Sequence, residues 1–253
     1  MKWLFLNPDT KINDNTYYTD HEISLARNKF TRATQMYCDI WGYDYIRDES
    51  VYFDEYNIKV KERSGWALST SNKLLQVKHH ISNYDYICVM DTYDTLITNP
   101  SLPLTNFIND KDSLFMSRDI YYNEKPFPDN INSGWVIFKN DENIRQLLDL
   151  YVQLLNESNL EGDSYNDQNL LIEAYNSMSV KGFVNYDDLL VQKYWFYNRL
   201  HPNEMKSGNY DRLHYLLNSP YLWKPNDFMI HLCGEADRFR MLEGFYDDIY
   251  GTK

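Results

Sequence analysis

The sequence predicts an α/β fold: a single domain over 1–253 with a mainly parallel central sheet flanked by helices. Short apolar runs alternate with helix-patterned segments through the first third of the chain, the order that a parallel sheet requires. The run Tyr86-Ile-Cys-Val-Met90 is apolar throughout and breaks off at Asp91, as a fully buried strand does where it leaves its sheet. With 253 residues and a hydrophobic fraction of 43%, the chain can bury one sizeable core, and no shift in composition divides it.

Taken in order, Lys2–Leu6 reads as a first buried strand, followed by a polar loop and a helix from about Glu22 to Trp41 that Gly42 stops. Tyr43–Ile46 is a short second strand. After an acidic, tyrosine-rich linker, Gly65-Trp66 opens a helix to about Ile81, with Leu68, Leu74, Leu75 and Val77 as its apolar positions. It leads into the strand Tyr86–Met90, so strand and helix alternate through three strands. Ser113–Met116 and Trp135–Phe138 are further strands, Asn143–Leu155 an amphipathic helix and Asp167–Tyr175 another. Phe228–His231 is the last strand, followed by Gly234 and a polar, aromatic tail. There is no internal repeat and no low-complexity tract.

The formal net charge of −12 argues against a general nucleic-acid binder, because phosphate backbones demand clustered Lys and Arg, and it opposes attachment to anionic membranes. No segment approaches the roughly 20 apolar residues that span a bilayer. The run Met1–Leu6 meets Asn7-Pro8-Asp9 too early to form a signal-peptide core, so the chain reads as soluble and cytoplasmic. The 3 cysteines, Cys38, Cys88 and Cys233, lack metal-ligand spacing and fit a reducing compartment. The 23 tyrosines supply rings that can stack on sugars or bases. Richness in Asn, Tyr, Ile and Lys hints at an AT-rich coding sequence of the kind found in some large DNA viruses. In so acidic a chain, an anionic ligand must be met locally, by a bound cation and a few basic side chains.

Asp91 and Asp94 are the place for such a cation. In parallel sheets ligands gather at the carboxyl ends of the strands, where Asp91 falls. Two acids this close repel each other unless a cation neutralises them, although Asp is also common where a chain simply turns out of a strand. A hard divalent ion such as Mg²⁺ or Mn²⁺ takes one or two protein carboxylates and leaves its other positions to water and phosphates. Tyr93, between the acids, can lay its ring over a planar ligand. Further along, Asn132-Ser-Gly134 precedes an apolar strand; Gly134 permits close approach of a ligand and Asn132 offers both donor and acceptor to sugar hydroxyls. Asn166-Asp167-Gln168 opens a helix, where an acid is favoured on electrostatic grounds alone. His231, in His231-Leu-Cys-Gly234, ends an apolar run. Lys73, Lys78, Arg118 and Arg238 are the basic residues nearest these motifs in sequence.

Asp91-Thr-Tyr-Asp94 resembles the Asp-x-x-Asp metal motif in the glycosyltransferase domain of the multifunctional collagen lysyl hydroxylases, a variant of the Asp-x-Asp motif of nucleotide-sugar transferases with the GT-A fold. Trp41-Gly-Tyr-Asp-Tyr45, then Trp66-Ala before a helix, then the acidic motif is also similar to the galactosyl, xylosyl and mannosyl transferases of xyloglucan and mannan synthesis. Asn132-Ser-Gly134, Asp167-Gln168 and the His231 segment resemble, in the same order, the strand lining the donor and acceptor cleft, the helix start facing the donor sugar, and the third metal ligand of these families.

The resemblance spans about residues 25 to 240 and implies a Rossmann-like GT-A domain, with a nucleotide-binding half over about 1–100 and a donor-sugar and acceptor half over about 101–253. It implies Mn²⁺ or Mg²⁺ held by Asp91, Asp94 and His231, the imidazole suiting Mn²⁺ slightly better. It implies a nucleotide-sugar donor, most readily a UDP-sugar, contacted by Tyr93, Lys73, Asp91 and Gly134, with Asn132 and Asp167 orienting donor and acceptor. Transfer of a hexose or pentose with retention to a glycan, protein or small-molecule hydroxyl follows from the same resemblance. Two alternatives stand beside it. One is a haloacid-dehalogenase-like phosphohydrolase, whose acids, however, sit two apart rather than three. The other is a non-catalytic relative that binds nucleotide sugars.

Overall fold

A computed structural model describes residues 1–10, 19–59, 65–118, 131–157, 167–185, 192–194, 223–232 and 238–251. The strands in chain order are β1 (Trp3–Pro8), β2 (Asp44–Asp48), β3 (Tyr86–Met90), β4 (Thr95–Ile97), β5 (Leu114–Arg118), β6 (Ile131–Lys139), β7 (Val184–Asn185), β8 (Gln192–Tyr194) and β9 (Met229–His231). The helices are α1 (Asp20–Leu25), a π-turn (Ala26–Phe30), α2 (Thr31–Trp41), α3 (Gly65–His80), α4 (Glu142–Glu157), α5 (Asp167–Ser177) and α6 (Arg238–Tyr250). The chain divides into two compact units: Met1–Thr19, Gly42–Met90 and Ile108–Leu189 form one, and Asp20–Trp41, Asp91–Phe107 and Leu190–Lys253 the other.

The first unit is built on a six-stranded sheet in the order β2-β1-β3-β6-β5-β7. β1 pairs in parallel with β2 and β3, as the alternating pattern predicts, whereas β6 is antiparallel to both β3 and β5. Alternate residues of the strands, Leu4, Leu6, Ile87, Val89, Met116, Val136 and Phe138, share one core with α3, α4 and α5. α4 contributes Ile144, Leu147, Leu148, Tyr151 and Leu155, spaced three and four apart on one face. Asp141 caps it by accepting from the Ile144 N–H at 3.1 Å, and the buried Tyr151 hydroxyl donates to the Ser71 carbonyl at 2.8 Å.

At the carboxyl ends of β1 and β2 the segment after Asp48 is tied down by buried polar groups. Asn72 accepts from the Tyr52 N–H at 2.9 Å and donates to Thr10 and to the Ser50 carbonyl, each at 2.7 Å. Gln76, one helical turn further along α3, donates to the Asp48 carbonyl at 2.9 Å. The Asp48 carboxylate accepts from the Ser50 N–H at 2.9 Å and the Tyr52 hydroxyl at 3.1 Å, and lies 2.9 Å from His80 Nε2. Burial pushes its pKa up, but hydrogen bonds from His80, Ser50 and Tyr52 outweigh that and hold it below the usual carboxylate range.

The second unit holds a three-stranded sheet, β4-β9-β8, with β4 antiparallel to β9 and β8 parallel to it. Phe30, Tyr37, Leu96, Ile97, Phe228, Ile230, Phe239 and Leu242 are buried in it. Phe30 stacks on Phe239, and Tyr37 meets Phe228 edge-on while its hydroxyl donates to the Leu102 carbonyl at 2.8 Å. The helix expected over about Glu22–Trp41 forms, but a π-turn interrupts it. There the Thr31 N–H bonds five residues back to the Ala26 carbonyl, and the Thr31 hydroxyl serves the Arg27 carbonyl. Gly42, at φ +70°, ends the helix.

Three features depart from the sequence reading. The polar, aromatic tail is the helix α6, because Phe239 and Leu242 bury one face while Glu243 and Asp247 bind Lys29 at 2.8 and 2.9 Å. β4 and β8 are three residues each, below what alternation can reveal. β6 begins at Ile131, so Asn132-Ser-Gly134 lies inside a strand instead of ahead of it. Cys38 and Cys88 are buried thiols, and burial raises that of Cys38; Cys233 and Gly234 lie outside the described residues. No helix among the described residues is long and apolar enough to cross a membrane.

Phe138→Ala should cost about 3–5 kcal/mol in denaturant unfolding, whereas Val180→Ser, at an exposed site, should stay within about 0.5 kcal/mol. Because the folded pKa of Asp48 is depressed, its contribution to stability is present above the unfolded value of about 3.9 and is lost as pH falls through the folded value. Unfolding curves of the native chain and Asp48→Asn should therefore differ at neutral pH and converge once pH has fallen through the folded value.

Candidate active site

Asp91 follows the last residue of β3 directly, and Asn7 secures that strand end by donating to the Met90 carbonyl at 2.9 Å. The chain then bends through Thr92 and Tyr93, and the Thr95 hydroxyl closes the bend on the Asp91 carbonyl. Ser and Thr hydroxyls characteristically bond back to the carbonyl three or four residues earlier. The turn brings two carboxylates three residues apart into one neighbourhood.

The pairing of β4 with β9 adds the third group. Thr95 lies opposite His231, Leu96 opposite Ile230 and Ile97 opposite Met229. Beyond the ladder, the Leu232 N–H donates to the Asp94 carbonyl at 2.8 Å. His231 is 1% exposed, and its Nε2 lies 3.3 Å from Asp94 Oδ2. One ligand atom from each of Asp91, Asp94 and His231 falls within 4.8 Å of the other two. Ligands about 2.1 Å from an octahedral cation stand about 3 Å apart when adjacent and about 4.2 Å when opposite. Two carboxylate oxygens and an imidazole nitrogen at this spacing therefore suit a hard or borderline divalent ion.

Tyr93 lies between the two acids, half-buried, with its hydroxyl 3.5 Å from an Arg27 guanidinium nitrogen on the π-turn. Arg27 is a residue that the sequence motifs did not single out. Its only local signal is the Thr31 four positions on, and nothing in the sequence says that a helix will widen there.

In the first unit, Lys73, Asn132, Gly134 and Asp167 all belong to the described residues. Asp167 opens α5 and is 2.5 Å from Lys73 Nζ in an ion pair that is closed to solvent on both sides. Asn132 Oδ1 accepts from the Gly134 N–H at 2.8 Å, which fixes the rotation of its amide. Lys78 pairs with Asp149 on α4. Arg118 closes β5 and Arg238 opens α6, while Asn166 lies outside the described residues. Asn72 and Gln76 went unnoticed in the sequence because α3 was read for its apolar positions, although both are fully buried.

No protein-family model matches the chain, and no curated protein sequence matches it. Solved structures do. A glycosyltransferase involved in glycosylating the major capsid of the virus PBCV-1 superimposes with a TM-score of 0.60 at 16% identity, covering 96% of this chain and 100% of its own. The galactosyltransferase LgtC, solved with donor and acceptor sugar analogues, gives 0.53 at 14% identity over 100% of this chain and 98% of its own. The bifunctional glycosyltransferase WbbM gives 0.56 at 13% identity over 98% of this chain and 51% of its own. The fold is that of the GT-A glycosyltransferases.

At identities of 13–16% the likeness speaks for the fold, so the chemistry has to be argued from the residues of this GT-A chain.

Mn²⁺ at about 100 times its Kd should stabilise the native chain by about 2.7 kcal/mol, read as a rise in melting temperature. Asp94→Ala and His231→Ala should each abolish most of that rise while remaining folded without metal. An undiminished rise in both variants would place the ion elsewhere.

Proposed function

We propose that the chain is a glycosyltransferase that moves a hexose or pentose from a nucleotide sugar, a UDP-sugar, to a hydroxyl acceptor, with Mn²⁺ or Mg²⁺ held by Asp91, Asp94 and His231. The observation that carries this reading is the meeting of those three side chains, drawn from segments far apart in a chain with a GT-A fold. Retention of anomeric configuration and the UDP moiety rest on the motif resemblance alone. The acceptor class stays as broad as a glycan, a protein or a small molecule.

The residues divide the work by chemistry. In a chain of net charge −12, a diphosphate is repelled at long range, so binding it requires charge supplied at the site. When bound, a divalent cation supplies that charge, and it does so most strongly as negative charge builds on the leaving diphosphate. Asp91 and Asp94 hold the ion's place by staying ionised, and buried His231 offers a neutral nitrogen and adds no further negative charge. Tyr93 presents its ring to the donor, and Gly134 allows the donor close to the strand. Asn132 and Asp167 contact sugar hydroxyls and orient the reacting groups, and placement of that kind lowers a barrier by several kcal/mol.

The test is release of free nucleoside diphosphate from a panel of UDP- and GDP-sugars, with Mn²⁺ or with a chelator. Release from one donor, lost with chelator and reduced about 100-fold or more in Asp94→Ala, is the expected result. Binding of a donor without release under any acceptor would assign the chain to the non-catalytic alternative. Neither binding nor release would overturn the reading.

A further inference from the structure

Lys73 is only 4% exposed, and an ammonium buried that deeply is unfavourable unless acids and carbonyls surround it. Its Nζ lies 2.5 Å from Asp167 Oδ2 and donates to the Ser133 carbonyl at 3.0 Å. The Ser133 N–H in turn donates to Gln168 Oε1 at 3.2 Å. One residue of β6 is thus held on both sides, at its carbonyl by α3 through Lys73 and at its N–H by the first turn of α5 through Gln168, and the cation that holds it also pairs with Asp167.

The sheet explains why Ser133 is available for this. Along β5, Met116 pairs with Val136 and the next residue, Ser117, pairs with Asn132, so Ser133, Gly134 and Trp135 bulge out of the ladder. On the other side of β6, pairing with β3 ends at Trp135. Ser133 therefore has no ladder partner in either neighbouring strand, and its buried N–H and carbonyl need partners from elsewhere. Lys73 and Gln168 are those partners. The bulge of Ser133, Gly134 and Trp135 and the ion pair that fixes Asp167 are one connected structure.

We propose that Lys73 is a positioning residue for Asp167: it holds the carboxylate in place, and it acts on turnover through Asp167 and not by touching the donor. This rests on the transferase reading, in which Asp167 contacts a sugar. It differs from a diphosphate-binding role for Lys73, because a lysine that contacts the donor contributes to donor affinity whether or not Asp167 is present.

A double-mutant cycle separates the two roles. Lys73→Met, Asp167→Asn and the combination of both are compared for kcat and donor KM, with melting temperatures taken alongside. Removing either partner alone leaves a buried charge unpaired and lowers stability, less so in Asp167→Asn, where the amide oxygen and the Ser133 carbonyl still accept from Lys73, whereas the double variant replaces both charges by neutral groups of similar size and is better tolerated. The decisive comparison is therefore between Asp167→Asn and the double variant, which needs no folded Lys73→Met protein. The expected result is that Asp167→Asn lowers kcat about tenfold or more with donor KM changed less than about threefold, and that adding Lys73→Met changes neither further. A further loss of about tenfold in kcat, or a rise in donor KM of that size, on the Asp167→Asn background would overturn the proposal, because Lys73 would then act on the donor directly. Absence of both donor binding and turnover in the unmutated chain would overturn the transferase reading and this assignment with it, an outcome distinct from additive losses in an active enzyme.

Discussion

The register of β4 on β9 is the constraint on which the candidate metal site depends. Thr95 stands opposite His231, so the residue before β4, Asp94, reaches the imidazole, and the Leu232 N–H continues the pattern onto the Asp94 carbonyl. Because side chains alternate along a strand, a slip of one residue would turn His231 to the opposite face and leave two carboxylates without a third ligand. Strands of three residues are too short to hold a register by themselves. Leu96, Ile97, Met229 and Ile230 are all buried, so packing on both faces holds these short strands in place. The Tyr250 hydroxyl, bonded to the Ile97 carbonyl at 2.9 Å, and Trp223 Nε1, bonded to Thr98 at 2.9 Å, anchor the far end.

In the first unit the corresponding constraint is a buried charge. An ammonium taken out of water costs several kcal/mol unless its attraction to nearby groups offsets the loss, and Lys73 meets a carboxylate and a carbonyl within 3.0 Å. One of those contacts also satisfies the Ser133 carbonyl, which the β6 bulge removes from the sheet. The same economy appears at Asn72 and Gln76, which satisfy backbone and hydroxyl groups of the segment after Asp48 from a single helix face. Polar groups inside this unit act as fixed connectors between loops and helices, and packing of the apolar strand faces supplies the core.

How much of this could be read in advance follows from the range of the interactions. β3 carries its own signal, five buried residues followed by an acid, and its predicted bounds Tyr86–Met90 match the structure. α4 was legible for the same reason, since its buried positions repeat every three or four residues. Asp91, Asp94 and His231 were legible as motif residues, and the structure brings them together. The sequence did not show that β4 exists, or that β6 bulges at Ser133, because both are settled by pairing between distant segments. The polar, aromatic tail carries no clear helical signal because only Phe239 and Leu242 mark the inner face of α6 among its buried positions. Lys73 was legible as a cation of interest but not as the partner of Asp167, since no local pattern links residues so far apart.

Metal-dependent transfer at this site requires a cation among Asp91, Asp94 and His231. The most direct measurement is crystallographic: diffraction from the protein grown with Mn²⁺ and UDP, collected at a wavelength where manganese scatters anomalously. A single strong anomalous peak within about 2.0–2.3 Å of Asp91, Asp94 and His231 ligand atoms is the predicted result. Bound UDP with no manganese at these residues, or manganese held by other side chains, would contradict it.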